Sequence, residues 1–211
     1  MKLIMIDFDG TLVDTFPFMF RLYSNIKDHY RLKTLSEEDF EAFKGQSLKS
    51  IRASFGIPFY KLPLLIKAVR PAYIEHLNHL TMDPLWRTWL VRFKQEGYHL
   101  VIVSSNKTSI IKDYLNKQQL DMFDHVYGGA HLHGKGRLLN KVRKDYGLKR
   151  HEVLYIGDEI RDIIASKKVG IFCAAVTWGY NDSSLLKQHQ PDYLIEDFDD
   201  FYQVINKPPK N

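Results

Sequence analysis

Two aspartates one residue apart, Asp7 and Asp9, follow directly on the apolar run Leu3-Ile4-Met5-Ile6, and Gly10 comes next. A short apolar run of this kind reads as a buried strand. In extended chain, residues i and i+2 point the same way, so both carboxylates can face one pocket. Burying residues 3–6 gives no reason for two acids on the next turn, where their repulsion must be offset by a cation or a shared proton. One acid can attack an electrophile while its neighbour gives and takes protons. A hard divalent cation would keep the attacking acid ionised and would also bind phosphate oxygens. Gly10 lets the chain turn sharply and expose backbone N–H groups. The plainer alternative is an acidic turn closing a strand.

Three later segments repeat this layout. In Val101-Ile102-Val103-Ser104-Ser105-Asn106-Lys107, an apolar run ends in small polar residues before a helical pattern. A hydroxyl at Ser104, with helix N–H groups behind it, suits an anion such as phosphate; a helix cap at Ser105 or Asn106 is the alternative. Gly134-Lys135-Gly136 precedes a helical pattern over 137–146. A lysine between glycines can reach inward from a flexible loop, where its compact charge would bind a phosphate oxygen and offset carboxylates. Lys141, within the helix and to one side of its apolar face, is the competitor. Val153-Leu154-Tyr155-Ile156-Gly157-Asp158-Glu159-Ile160-Arg161-Asp162 is a further apolar run ending in glycine and acids. If a helix begins there, Asp158 and Asp162 are i and i+4 and share one face. Asp158 is placed like a metal ligand, Asp162 could orient a water or pair with Lys135, and Glu159 suits a helix start. Together these groups fit phosphoryl transfer through a covalent aspartyl intermediate.

The elements that must hold these residues are read from periodicity. Strand character recurs at 3–6, 99–103, 125–127, 153–156, 171–176 and 193–195, with helical spacing between most of these runs. Alternation of this kind argues for a parallel sheet covered on both faces. Ligands of such sheets bind at the carboxyl ends of strands, where strand order reverses. The interval 16–83 breaks the alternation with helical patterns at 16–30, 36–43, 48–55 and 62–80. Ser36-Glu37-Glu38-Asp39 looks like a helix start, and Pro71 is expected to kink or split the last pattern. A helix over 85–95 leads back to the sheet, and residues 207–211 are expected to fray.

Composition sets outer limits. The chain has 211 residues, 45% of them apolar, enough for a sizeable core. No apolar run approaches the roughly 18 residues of a membrane span, and no membrane association is expected. The N-terminus lacks a signal-peptide layout. The single cysteine, Cys173, lies in an apolar stretch and reads as a buried structural thiol. These features suit a cytoplasmic protein. A net charge of +5 favours anionic ligands, but the basic residues are spread over 44–52, 61–70, 107–117 and 135–150, so no nucleic-acid partner is expected.

The four segments resemble the motifs of the haloacid dehalogenase superfamily. Asp7-Phe8-Asp9-Gly10-Thr11-Leu12-Val13-Asp14-Thr15 looks like the first motif nearly in full. Ser104 matches the second, Lys135 the third and 157–162 the fourth. The resemblance implies an α/β fold: a Rossmann-like parallel-sheet core of residues 1–15 and 84–211, with an α-helical cap of residues 16–83 inserted. It also implies that Asp7 is the nucleophile and that Asp9 protonates the leaving group and then activates water. Mg²⁺ would be held by the Asp7 carboxylate, the Asp9 backbone carbonyl and Asp158. Ser104 and Lys135 would bind the phosphoryl group, supported by Gly10, Thr11, Asn106 and Asp162.

Dehalogenases lack the second acid of the first motif, so Asp9 implies a Mg²⁺-dependent phosphatase. The helical-cap layout and Val176-Thr177-Trp178-Gly179-Tyr180 look like phosphoglycolate phosphatase and its relatives. Gly136 departs from the proline that many relatives carry there. Lys44-Gly45-Gln46-Ser47-Leu48 resembles a cap loop that faces the active site, so Gln46 and Ser47 could contact substrate; a helix start capped by Ser47 is the alternative. His131 and His133 lack a convincing third ligand and read as surface-loop residues. The expectation is a phosphatase of a small phosphate monoester, monomeric or homodimeric. A phosphomutase acting on a sugar phosphate and a non-catalytic binding protein are the alternatives.

Overall fold

Residues 1–46, 62–129 and 134–206 are described by the computed structural model. The expected helix over 48–55, the C-terminal residues 207–211, Ser47, His131 and His133 lie outside them. Among the described residues, six strands form one parallel sheet: β1 (Leu3–Ile6), β2 (His99–Val103), β3 (His125–Tyr127), β4 (Val153–Gly157), β5 (Phe172–Val176) and β6 (Tyr193–Ile195). Their spatial order is β3-β2-β1-β4-β5-β6. The chain runs outward from β1 to β2 and β3, then crosses back to β4 on the other side. Strand order therefore reverses at β1, which places a ligand crevice at its carboxyl end.

Both faces of the sheet are covered, which is why its central strands are apolar without alternation. Ile4 and Ile6 point to one side, where Trp86, Leu90 and Phe93 of α4 (Pro84–Gln95) and Ile111 and Tyr114 of α5 (Thr108–Lys117) cover them. Leu3 and Met5 point to the other, against Leu139 and Val142 of α6 (Lys135–Asp145) and Ala165 of α7 (Ile160–Val169). Here α1 (Phe16–Ile26), α2 (Glu37–Glu41) and α3 (Leu62–Leu77) precede α4, while α8 (Ser183–Gln188) and α9 (Phe201–Asn206) close the chain. Cys173 is buried.

The helical stretch after β1 has a small aromatic core of its own, with Phe16, Tyr23, Phe40 and Phe43 buried together. The start of α2 is set by Ser36, whose hydroxyl accepts from the Asp39 N–H while the Asp39 carboxylate accepts from the Ser36 N–H, each at 3.0 Å. A 3₁₀ turn (Ala42–Gly45) replaces the expected helical continuation to residue 43. α1 stops at Ile26 rather than residue 30, because the chain turns at Arg31 with φ 51°. α3 ends at Leu77 rather than residue 80. It also runs unbroken through Pro71, against the expected split. Burial of Leu65 and Leu77 on either side, with packing on α1, outweighs the one hydrogen bond that proline removes.

Candidate active site

Register brings the pieces together. Leu3 pairs with His99 of β2 and with Val153 of β4, so the three central strands end level and Asp7 emerges beside Val103 and Gly157. The Asp7 N–H still donates to the Ile156 carbonyl at 2.9 Å, as if β1 continued. Phe8 turns into the core, edge-on to Tyr114 with ring centroids 5.2 Å apart. That contact leaves the acids on either side of it facing away from the core.

Asp7 is buried, and its Oδ1 accepts from the Phe8 N–H at 2.8 Å. Its Oδ2 accepts from Lys135 Nζ, which also donates to Asp162 Oδ1 at 2.5 Å. Lys135 is not on a flexible loop. It is the first residue of α6, buried, with its ammonium 5.1 Å from the centre of the Tyr155 ring. The helix starts two residues earlier than expected, and two carboxylates hold the side chain inward. Burial alone would push the ammonium down, but Asp162 and Asp7 outweigh that and hold its pKa above the usual lysine value. Lys141 is exposed and bonds Asp145 instead.

Asp158 and Asp162 do not share a helix face, because α7 begins only at Ile160. They meet because the Asp162 Oδ2 reaches back to accept from the N–H groups of Asp158 and Glu159, at 3.2 and 3.1 Å. Gly157 makes room for this: a Cβ there would sit 2.4 Å from that oxygen. Asp158 accepts from the Thr11 hydroxyl at 2.7 Å and from the Tyr180 N–H at 2.7 Å. Gly10, with φ +75°, could not carry a side chain either, since a Cβ would meet Asp158 Oδ2 at 2.2 Å.

Ser104 is buried, and its Oγ accepts from the Asn106 N–H at 3.2 Å. The N-cap of α5 is Lys107 rather than Ser105 or Asn106. The Asn106 Oδ1 accepts from the Lys107 N–H at 2.8 Å, and its amide donates to Asp9 Oδ2 at 3.1 Å. Burial pushes the Asp9 carboxyl above the usual carboxylate range, and the Asp7 charge adds to this. Hydrogen bonds from Tyr73, Asn106 and Thr15 oppose it. Gln46 bonds within its own turn, and its carbonyl accepts from Asn181 at 3.3 Å.

The donor set fits a divalent cation. Asp7, Asp158 and Asp162 each offer an oxygen, and those oxygens lie within 4.8 Å of one another. Asp7, Asp158, Glu159 and Asp162 bring four acids into the cluster against the two cations of Lys135 and Arg161, so ionising all four would leave two negative charges unmatched. Burial, then the charges of Glu159, Asp162 and Asp7, push the Asp158 carboxyl well up. A bound dication would relieve that cost. All three aspartates also accept hydrogen bonds: Asp7 from Phe8 and Lys135, Asp158 from Thr11 and Tyr180, and Asp162 from Lys135 and two backbone N–H groups.

Residues 4–176 match the family model described as haloacid dehalogenase-like hydrolase. The chain belongs to that family. It is 30% identical over 208 residues to a phosphoglycolate phosphatase of Synechococcus elongatus, covering 98% of each chain. It is 24% identical to the pyrophosphatase PpaX of Bacillus mycoides, over 97% of this chain and 96% of that one. A solved haloacid dehalogenase-like hydrolase from Streptococcus pneumoniae superposes with a TM-score of 0.83 at 21% identity, covering 98% and 99% of the two chains. Like the two curated relatives, this member of the family is a phosphatase. No helix among its described residues is long and apolar enough to cross a membrane.

Sequence reasoning missed four supports of this phosphatase site. The indole N–H groups of Trp86 and Trp178 both donate to the Thr11 carbonyl, at 3.0 and 3.1 Å, and pin the loop after β1. Arg161 pairs with the buried Glu159 at 2.5 Å. Asn181 ties the turn before Ser47 to the start of α7. Tyr73 of α3 donates to Asp9. Trp178 and Arg161 stood in stretches already matched to relatives; Trp86, Asn181 and Tyr73 had no such signal.

Proposed function

We propose that the chain is a Mg²⁺-dependent phosphatase of a small, acidic phosphate monoester of the phosphoglycolate type, working through an aspartyl phosphate at Asp7. The observation that carries this reading is Lys135 held between Asp7 and Asp162 beside Asp158, at the end of the central strand. The Asp7 carboxylate attacks phosphorus, and an O–P bond forms as the bond from phosphorus to the ester oxygen breaks. Asp9 gives its proton to the departing oxygen. As a carboxylate, Asp9 then takes a proton from water, whose oxygen attacks phosphorus and frees phosphate and Asp7. Lys135 uses two of its three N–H bonds on Asp7 and Asp162, and the third is left for a phosphoryl oxygen. Ser104 offers its hydroxyl to the same group, and Gly10, Thr11 and Asn106 shape the cradle. Asp7, Asp158 and the Asp9 carbonyl would hold Mg²⁺, which when bound would supply Lewis-acid stabilisation of phosphoryl charge.

The substrate class is supported by the 30% identical phosphoglycolate phosphatase, matched over nearly its whole length. In this reading residues 16–83 serve as the cap of a core formed by 1–15 and 84–211, and Gln46 and Ser47 are its candidate substrate contacts. The test is phosphate release from a panel containing 2-phosphoglycolate, pyrophosphate and sugar phosphates. The reading expects 2-phosphoglycolate to be hydrolysed fastest and EDTA to suppress turnover. No release from any ester, or release indifferent to EDTA, overturns it.

A further inference from the structure

Asp9 is gripped from two sides. The Tyr73 hydroxyl donates to Asp9 Oδ1 at 2.5 Å. The Asn106 amide donates one N–H to Asp9 Oδ2 at 3.1 Å and the other to the Tyr73 oxygen at 2.8 Å. The Asn106 Oδ1 is fixed in turn by the Lys107 N–H at 2.8 Å, which sets the direction of the amide. Tyr73 is half-buried and comes from α3, a helix of the insert. Every other group described around Asp7, Asp9 and Asp158 comes from a loop or helix end at the edge of the sheet.

We propose that Tyr73 is a positioning residue for Asp9, through which the helical insert supports proton transfer to the leaving group. The inference rests on the acid role of Asp9 proposed above. In that step the bond from phosphorus to the ester oxygen breaks, the O–P bond to Asp7 forms, and the Asp9 proton moves to the departing oxygen. Asp9 is left as a half-buried carboxylate near other negative charge. Tyr73 and Asn106 keep their own protons and donate to one Asp9 oxygen each. Hydrogen bonds to an ionised acceptor are roughly twice as strong as those between neutral groups. Both bonds therefore tighten as the proton leaves, which favours the transition state over the ground state. The Tyr73 hydroxyl also fixes the rotation of the carboxyl group, so the proton faces the ester oxygen. Tyr73 reaches Asp9 only when α3 is seated as it is here, which couples placement of the insert to the acid.

The test compares a phosphate ester and an acyl phosphate in the Tyr73→Phe variant. In 2-phosphoglycolate the leaving group is an alkoxide that must be protonated as it departs. In acetyl phosphate it is acetate, which leaves as an anion. The value of kcat/KM reports steps through the first irreversible one, so the later role of Asp9 as base does not enter. The ratio of kcat/KM for 2-phosphoglycolate to that for acetyl phosphate is expected to fall on the order of tenfold. A misfolded fraction would scale both values equally and leave the ratio unchanged. Equal losses on the two substrates, or no loss on either, overturn the inference. Asp9→Asn separates the two layers. If it shifts the ratio and Tyr73→Phe does not, the positioning role alone fails. If Asp9→Asn leaves the ratio unmoved, the acid role fails and takes this inference with it.

Discussion

Lys135 has 6% of its side chain exposed and two carboxylates within hydrogen-bonding reach. Removing one partner of a buried ion pair leaves uncompensated charge and costs about 3–5 kcal/mol. Lys135→Met strands two acids beside Asp158, so metal-free protein should lose about 3 kcal/mol. In a chain of this length that lowers Tm by roughly 6–12 °C, measurable by calorimetry in EDTA. Lys141→Ala should move Tm by less than about 1 °C, because its bond to Asp145 is exposed. An equal drop in both would contradict the placement of the ammonium. At this scale the sequence was informative wherever a functional group sits at a strand end, because local apolar runs mark those ends. It was silent on Tyr73, which reaches Asp9 from 64 residues away. A contact made only by folding leaves no local mark.

Asn181 joins two elements. Its Oδ1 accepts from the Ile160 N–H at 2.9 Å, capping the start of α7. Its amide donates to the carbonyls of Lys44 and Gln46, both at 3.3 Å, and the Asp182 N–H adds a bond to Lys44 at 2.9 Å. Asn181→Ala leaves the half-buried Ile160 N–H without this partner and frees the turn that carries Gln46. Amide exchange over residues 42–46 should quicken about tenfold, and KM should rise more than kcat falls. Unchanged exchange would contradict the clamp. Element types were largely legible from periodicity, but element ends were not. α6 begins at Lys135 because its side chain is drawn into the site, and α3 crosses Pro71 because burial on both sides holds it. Both outcomes depend on tertiary partners that propensity does not encode.

At the scale of the whole molecule, alternation indicated a parallel sheet, whereas strand order had to come from the structure, since pairing partners are long-range. The edge opposite the site is tied by Lys2 and Glu152, whose side chains meet at 2.8 Å. The hydrogen bond from Lys2, then that from the Lys149 N–H, pushes the Glu152 carboxyl down to about 2. Because folding lowers this pKa, its contribution is fully present above the ordinary glutamate value. It is lost as pH falls from there toward about 2. Glu152→Gln should therefore flatten the acid side of the stability curve in urea titrations between pH 5 and about 2. An unaltered acid limb would contradict it.

The central claim is that Asp7 is the attacking group. Asn at this position keeps the size of the side chain and removes the nucleophile. The most direct measurement is steady-state phosphate release from 2-phosphoglycolate with Mg²⁺ by wild type and Asp7→Asn. The account predicts that kcat falls by at least about 1,000-fold in the variant. Release by Asp7→Asn within tenfold of wild type would contradict it.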